Sequence, residues 1–267
     1  GMGGILADDM GLGKTLQTIA FLYSLGGTSL VVCPSSLVFN WVSEVERFAP
    51  DLRAVAIEGP KRMETLEAEP DADIYVTSYA LLRQDEETWT TREFDAVILD
   101  EAQHIKNPEA KVSRAAHRLQ ASHRFALTGT PIENSVRDLW SIFRFALPGY
   151  LGSRKDFTER FEKPLSSSDP PPALRDRLSR RLRPVLLRRM KEDVAADLPE
   201  KIEQVIYCDL KPQQREVYDS ILRESKASLL EAEGAKQRML ALTALLKIWP
   251  AGETVVVSSR WLLAVQL

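Results

Sequence analysis

Cysteine, histidine and long apolar runs are all scarce in this sequence, and each scarcity removes a class of protein. The 267 residues contain two cysteines, Cys33 and Cys208. They lie far apart and each sits in an apolar stretch, so they read as reduced, buried thiols and not as a disulfide framework. The three histidines, His104, His117 and His123, have no partners at metal-ligand spacing, and no zinc site is expected. No run approaches the apolar length of a membrane span, and the N-terminus does not read as a signal peptide. A cytoplasmic location with no membrane partner is therefore expected. An excess of positive charge is missing too. The formal net charge is -3, so nucleic acid could be bound only through a local patch. No internal repeat and no long low-complexity tract is present.

What is present is ordinary globular composition, with 44% hydrophobic and 27% charged residues. The length allows one large domain or two small ones, either with a real core. Residues 1–147 alternate short apolar runs with helical patterns. The runs are Gly4–Ala7, Ser29–Cys33, Ala54–Ile57, Asp73–Thr77, Ala96–Leu99 and Phe125–Thr128. Several lack period-two alternation, as strands buried on both faces do. Thr15–Leu25 and Leu37–Phe48 read as helices between them. The rhythm predicts an α/β fold, an open and mostly parallel sheet with helices on both faces. Residues 148–248 read as mostly helical, broken by a loop at Ser166–Pro172. There, Ile202–Cys208 alternates like a strand and Pro212 opens a long helix. Residues 249–267 form a tail of uncertain role.

Three segments carry chemistry. Asp8-Asp9-Met10-Gly11-Leu12-Gly13-Lys14-Thr15 follows an apolar run and precedes a helical pattern, the context of a phosphate-binding loop. Glycines let backbone N–H groups converge on phosphate, and the helix N-terminus adds partial positive charge. Lys14 would reach the β- and γ-phosphates and Thr15 would ligate Mg²⁺. Asp8 stands where the strict pattern has glycine, and an accidental glycine-rich turn is the bland alternative. In Val97-Ile98-Leu99-Asp100-Glu101-Ala102-Gln103 a strand ends in two carboxylates at the edge where open sheets bind ligands. Asp100 would hold Mg²⁺ and Glu101 would orient the attacking water. A strand ending in solvated acids is the alternative. Leu127-Thr128-Gly129-Thr130-Pro131 runs a strand into a hydroxyl-rich turn that could join the acids to a neighbouring segment. An ordinary turn would look the same.

In order and in wording, these segments resemble the SWI/SNF-type family of superfamily-two helicase-like ATPases, its bacterial members in particular. Gly3 to Thr15 is similar to that family's motif I, including the acid at Asp8. Val32 to Trp41 resembles motif Ia, Thr77-Ser78-Tyr79 motif Ib, Asp100-Glu101-Ala102-Gln103 motif II, and Leu127 to Asn134 motif III. Leu186-Leu187-Arg188-Arg189 with Leu198-Pro199 resembles the segment after the family's helical protrusion.

The resemblance implies a RecA-like P-loop lobe at 1–147 and a helical protrusion with packing helices at 148–248. It implies an ATP-dependent translocase on double-stranded DNA, using ATP and Mg. Asp9, Met10, Gly11, Leu12, Gly13, Lys14 and Thr15 would bind ATP. Lys14, Asp100, Glu101 and Gln103 would be catalytic, with Thr15 and Asp100 at the metal. Thr128, Gly129 and Thr130 would couple the motifs. Ser35, Ser36, Thr77, Ser78, Arg188 and Arg189 would meet DNA phosphates, contacts that position without reading sequence. Ser35 or Ser36 could equally cap a helix. The basic run from Arg175 to Arg183 could face DNA or be a solvated helix face. A monomer is expected, partnered by a second RecA-like lobe of the same protein that supplies an arginine finger. Glu253–Ser259 weakly resembles that lobe's opening strand. Two alternatives remain at this point: a catalytically silent nucleotide- or DNA-binding module, and a strand-separating helicase.

Overall fold

The computed structural model describes residues 2–129, 136–167 and 171–194, together with 215, 216, 218–220 and 223. Ile202–Cys208, the opening of a helix at Pro212, Leu198-Pro199, the tail from 249, Cys208 and Thr130 lie outside the described residues. By contact density the chain falls into two units, Gly1–Ala196 and Asp197–Leu267. In the second, the described residues are helical, with the Arg215 guanidinium 5.9 Å from the Tyr218 ring centre.

The first unit is built on seven parallel strands, β1 (Gly3–Leu6), β2 (Ser29–Cys33), β3 (Ala54–Ala56), β4 (Ile74–Ser78), β5 (Glu93–Leu99), β6 (Gln120–Leu127) and β7 (Leu186–Leu187). Their order across the sheet is β3-β4-β2-β5-β6-β1-β7. The central strands are buried on both sides, every residue of β2 and β4 included. That is why they read as continuous apolar runs. β5 and β6 begin earlier than their apolar cores. Glu93, Asp95, Gln120 and Ser122 stand exposed at the amino edge of the sheet, where the ladder continues with burial on one face only, at Phe94. Asp95 accepts the Thr28 N–H there at 2.8 Å.

Helices cover both faces. α1 (Lys14–Leu25) turns Thr18, Ile19 and Leu22 inward, and α2 (Val38–Phe48) turns Val38, Trp41 and Val45 inward. These spacings of three and four residues put one stripe against the sheet. α1 and α2 share a core with Val31, Cys33, Val76 and Ile98. The strand residues that alternate with these, Leu30, Val32, Val97 and Leu99, form the opposite core. Against that core pack α4 (Tyr79–Gln84), α5 (Glu86–Thr90), α6 (Lys111–Arg118) and α7 (Val136–Ala146), while α3 (Arg62–Ala68) inserts Leu66. β1 and α7 approach so closely that a Cβ on Gly3 would stand 1.9 Å from the Ala146 carbonyl oxygen. Only glycine fits there.

After Ala146 the chain forms α8 (Arg154–Phe157), a π turn at Thr158–Glu162, α9 (Lys163–Leu165) and α10 (Pro172–Leu182). Phe157 and Phe161 are buried with ring centres 5.5 Å apart. β7 then returns to the sheet, Ile5 opposite Leu186 and Leu6 opposite Leu187, before α11 (Lys191–Val194). The sheet thus draws on residues well beyond 147. A two-residue strand has no period for a sequence pattern to show. No helix among the described residues is long and apolar enough to cross a membrane.

Candidate nucleotide and motor site

The strand order sets the site. β6 lies between β1 and β5, so the turn after β6 sits between the loop after β1 and the acids after β5. All three leave the carboxyl edge of a parallel sheet, where ligands bind.

The loop after β1 enters α1 through Gly13, which caps the helix in the left-handed region at φ 75°. α1 has no side-chain cap and no acid in its first turn. The N–H groups of that turn have no intrahelical acceptor, so the helix presents open donors and a positive end. Phosphate oxygens would satisfy both. The Lys14 ammonium donates to the carbonyls of Asp8 at 2.7 Å and Asp9 at 3.3 Å, across the mouth of the loop. Asp9, Leu12, Lys14 and Thr15 are half-buried, whereas Met10, Gly11 and Gly13 are exposed.

Asp8 points the other way. It is fully buried, and its carboxylate takes the Arg189 backbone N–H at 2.9 Å and Nε at 3.0 Å, with Nη2 as a third donor. Arg189 Nη2 also donates to Gln17 Oε1 on α1 at 2.6 Å. Asp9 N–H donates to the Arg189 carbonyl, and Lys191 N–H to Asp9 Oδ2. The segment after β7, Arg188 to Lys191, is therefore a strap across the base of the loop. This explains an acid where glycine is usual: a buried carboxylate is tolerated only when paired and hydrogen-bonded.

Directly after β5, Asp100 is buried. Its Oδ1 accepts the Glu101 N–H and its Oδ2 the Trp41 Nε1–H, both at 2.9 Å, while its backbone carbonyl accepts the Tyr79 hydroxyl at 2.8 Å. Burial pushes the Asp100 carboxyl above the usual range. The Trp41 bond opposes this, Glu101 adds to it, and the Glu101 N–H and Lys14 oppose it. Glu101 follows at φ 52°, the one positive-φ non-glycine residue among those described. Left-handed backbone costs such a residue about 1–2 kcal/mol, and that conformation marks functional turns. Gln103 Nε2 donates to Glu101 Oε2 at 2.8 Å, and Gln103 Oε1 accepts the Thr128 hydroxyl at 3.1 Å.

Thr128 completes a bridge. Its N–H donates to the Leu6 carbonyl at 3.0 Å, on the strand that feeds the loop. A Cβ on Gly129 would lie 3.2 Å from Met10 Cγ. The turn after β6 thus touches the loop on one side and the Glu101–Gln103 pair on the other.

The structure separates the residues expected at DNA. Ser35 and Ser36 are exposed on a short 3₁₀ turn, Ser35–Leu37, and neither caps α2, whose N-cap Leu37 has no side-chain bond. Arg188 is exposed. Thr77 is fully buried and donates to the Ile57 carbonyl at 3.1 Å, while Ser78 accepts the Leu81 N–H as the cap of α4. The expectation that these two hydroxyls face DNA is corrected, because both are spent inside the fold. The Arg189 side chain stays 39% exposed, with its guanidinium bonded to the buried Asp8 and to Gln17. Asp8, Trp41 and Tyr79 lie within the motif segments, but nothing in their spacing discloses that they hold the site. Burial also pushes the Cys33 thiol up to about 12, with Asp100 and Glu58 adding to the shift, so it stays protonated and unreactive. An apolar groove of about 470 Å³ under α1 is lined by Phe21, Phe125, Leu127 and Leu187. Its lining includes none of Lys14, Asp100 and Glu101, so it is not the phosphate site.

A glycine loop on an uncapped helix, an acid pair one strand removed and a hydroxyl turn between them define a P-loop α/β lobe of the helicase-like ATPases. Comparison with known proteins narrows the class. Residues 1–255 match the SNF2-related domain. The chain is 37% identical over 256 residues to a putative ATP-dependent helicase/translocase, YwqA, of Bacillus subtilis, covering 92% of this chain and 28% of that protein. It is 40% identical to the TATA-binding protein-associated factor mot1 of Aspergillus fumigatus, covering 88% of this chain and 14% of that protein. The Sulfolobus solfataricus SWI2/SNF2 ATPase core, solved in complex with double-stranded DNA, superposes with a TM-score of 0.67 at 41% identity. That match covers 93% of this chain and 53% of the core. The chain therefore belongs to the SNF2-related family, and its sheet is the RecA-like fold of that family's ATPase core. It spans well under a third of the two curated relatives and about half of the solved core.

Proposed function

We propose that this chain is the first ATP-binding lobe of a motor that hydrolyses ATP and moves along double-stranded DNA by gripping its phosphates. The observation that carries the reading is the Thr128 bridge, which joins Leu6, the end of the strand that feeds the phosphate loop, to the Glu101–Gln103 pair at one sheet edge. Such a connection lets a nucleotide on one side bias the geometry of the other.

In this reading the N–H groups of Gly11 to Thr15 and the Lys14 ammonium bind the phosphates, a charge-assisted contact of the strong kind. Thr15 and Asp100 would hold Mg²⁺, which supplies charge neutralisation at the phosphates. Glu101 accepts a proton from, and aligns, the attacking water, while Gln103 holds the Glu101 carboxylate. Ser35, Ser36 and Arg188 meet DNA phosphates, so affinity is insensitive to sequence and falls steeply with salt. A second RecA-like lobe supplies the arginine that completes the phosphate clamp, a group worth roughly a thousandfold or more in related transfers.

The test is phosphate release by the purified chain, with duplex DNA added, and again after mixing in a separately prepared second lobe. Little stimulation by DNA alone and strong stimulation after mixing are expected. Strong stimulation by DNA alone would place the missing cation within this chain.

A further inference from the structure

Asp100 is pinned from both faces of the sheet. Trp41 belongs to the core under α1 and α2, and its indole N–H ends on the Asp100 carboxylate. Tyr79 belongs to the opposite core, and its hydroxyl ends on the Asp100 backbone carbonyl. One bond fixes the side chain and the other the main chain, immediately before the left-handed residue Glu101. Both rings are themselves immobilised. Trp41 is 1% exposed, and Tyr79 is 6% exposed and stacked on His104 at 4.7 Å between ring centres. Buried indole and phenol groups ordinarily find some acceptor. Here two of them, from opposite layers, choose the same residue.

Trp41 also has a position. The exposed Ser35–Leu37 turn runs without a break into α2, with the Val38 N–H bonded to the Ser35 carbonyl. Trp41 lies in the first turn of that helix. A ligand that tightens the Ser35–Ser36 turn therefore acts on the helical turn that carries the Asp100 donor.

We infer that Trp41 and Tyr79 are positioning residues that hold Asp100 in its metal-holding orientation, and that Trp41 carries phosphate engagement at Ser35 and Ser36 to that carboxylate. This rests on the reading of Asp100 as the Mg²⁺-holding acid. Binding free energies are reciprocal, so DNA that tightens the Asp100 arrangement must tighten Mg²⁺–nucleotide binding by the same factor in both directions.

The experiment is calorimetric titration of this chain with a non-hydrolysable ATP analogue, with and without Mg²⁺, and with and without a short duplex. Trp41→Phe keeps the buried ring and removes the donor, and Tyr79→Phe removes one oxygen. In the unaltered chain, duplex should tighten the Mg²⁺-dependent binding about fivefold or more, the lower end of ordinary coupling. Each variant should lower the gain that Mg²⁺ gives, and Trp41→Phe should abolish the gain that duplex gives. Metal-free analogue binding, which depends on the Lys14 loop, should stay within about twofold, since removed contacts to other groups leave it intact. Full retention of both gains in the variants would overturn the inference, as would an equal loss of metal-free binding, the mark of a merely structural role. Should Trp41→Phe fail to fold, Tyr79→Phe decides through the Mg²⁺ gain. If the unaltered chain itself shows no Mg²⁺ gain and Lys14→Ala changes nothing, the site reading fails first, and that result is distinct.

Discussion

The phosphate loop and the acid strand meet at the same sheet edge, and they are held there by different means. The loop is braced by an ion pair between residues 181 positions apart, Asp8 and Arg189, with one partner buried and the other at the surface. The acid strand is braced by aromatic donors from two cores and carries a backbone residue in a costly conformation. The loop is thus a movable element tied down by a strap, and the acid strand is a rigid element under local strain. That division suits a site that must admit nucleotide on one side and keep a water aligned on the other.

The largest expected effect is on the strained side. In a two-lobed protein carrying this chain, Glu101→Gln should bind ATP but hydrolyse it about a hundredfold more slowly or worse, since the amide keeps the shape and loses the acceptor charge. Glu101→Gly and Glu101→Ala should be equally inactive, both losing the Gln103 bond, yet the glycine variant should be the more stable of the two by about 1 kcal/mol, because glycine takes φ 52° without penalty. Thermal melting measures this. A glycine variant less stable than the alanine one would mean that Glu101 is not strained, and the contrast with the loop would lose its footing.

Next comes the loop. Lys14→Ala should weaken nucleotide binding at least about tenfold, because an ammonium–phosphate contact is lost. Unchanged affinity by calorimetry would remove the loop from the site. Arg189→Ala should lower stability, because it strips the buried Asp8 carboxylate of its charged donor. It should also quicken amide exchange across Asp8–Gly13 and leave exchange around Asp100 unchanged. If both regions loosen together, the strap and the aromatic pins are one unit and the comparison fails.

Much of this was legible from sequence, and the gaps have physical causes. β2 is legible with its observed ends, Ser29 and Cys33, because it is apolar after Ser29 and buried on both faces. β5 and β6 are legible only over their apolar carboxyl halves, since Glu93, Asp95, Gln120 and Ser122 are exposed and break the apolar run. The phosphate loop and the acid pair stood out because each chemistry occupies contiguous residues. What held them did not. Arg189 looked like a DNA contact because its partner is far away in the chain, and only the β1–β7 pairing brings the two together. Thr77 and Ser78 looked like surface hydroxyls because sequence shows residue type and hides direction. Trp41 ends the Val32–Trp41 motif, but its target is 59 positions away.

The smallest expected effect concerns pH, and it again separates the two sides. Behind the acid strand, α6 is tied to α7 by His117, whose Nε2–H donates to the Ser141 carbonyl at 3.0 Å, while Ser141 Oγ donates to the Ile105 carbonyl beyond the acids. Burial lowers the His117 pKa below its ordinary value of 6.5. The Ser141 carbonyl opposes that shift, and Arg144 and Arg124 add to it. The folded state thus disfavours the imidazolium. Between the lowered folded value and the unfolded value near 6.5, the unfolded chain binds more protons, so stability is full above about 6.5 and is lost as pH falls below it. No imidazole takes part in the Asp8–Arg189 strap. Mild acidification from neutrality should therefore quicken amide exchange in α6, α7 and the Ala102–Ile105 turn before it does so in Met10–Gly13. His117→Gln keeps a donor of similar reach and cannot titrate, so it should flatten the dependence. The measurement is amide exchange by mass spectrometry on both proteins, at neutral pH and again about one unit below 6.5, corrected for the intrinsic exchange rate. An unchanged dependence in His117→Gln would move the acid sensitivity to another group. Earlier loosening at the loop would mean that the acid-sensitive group lies on the strap side and not at His117.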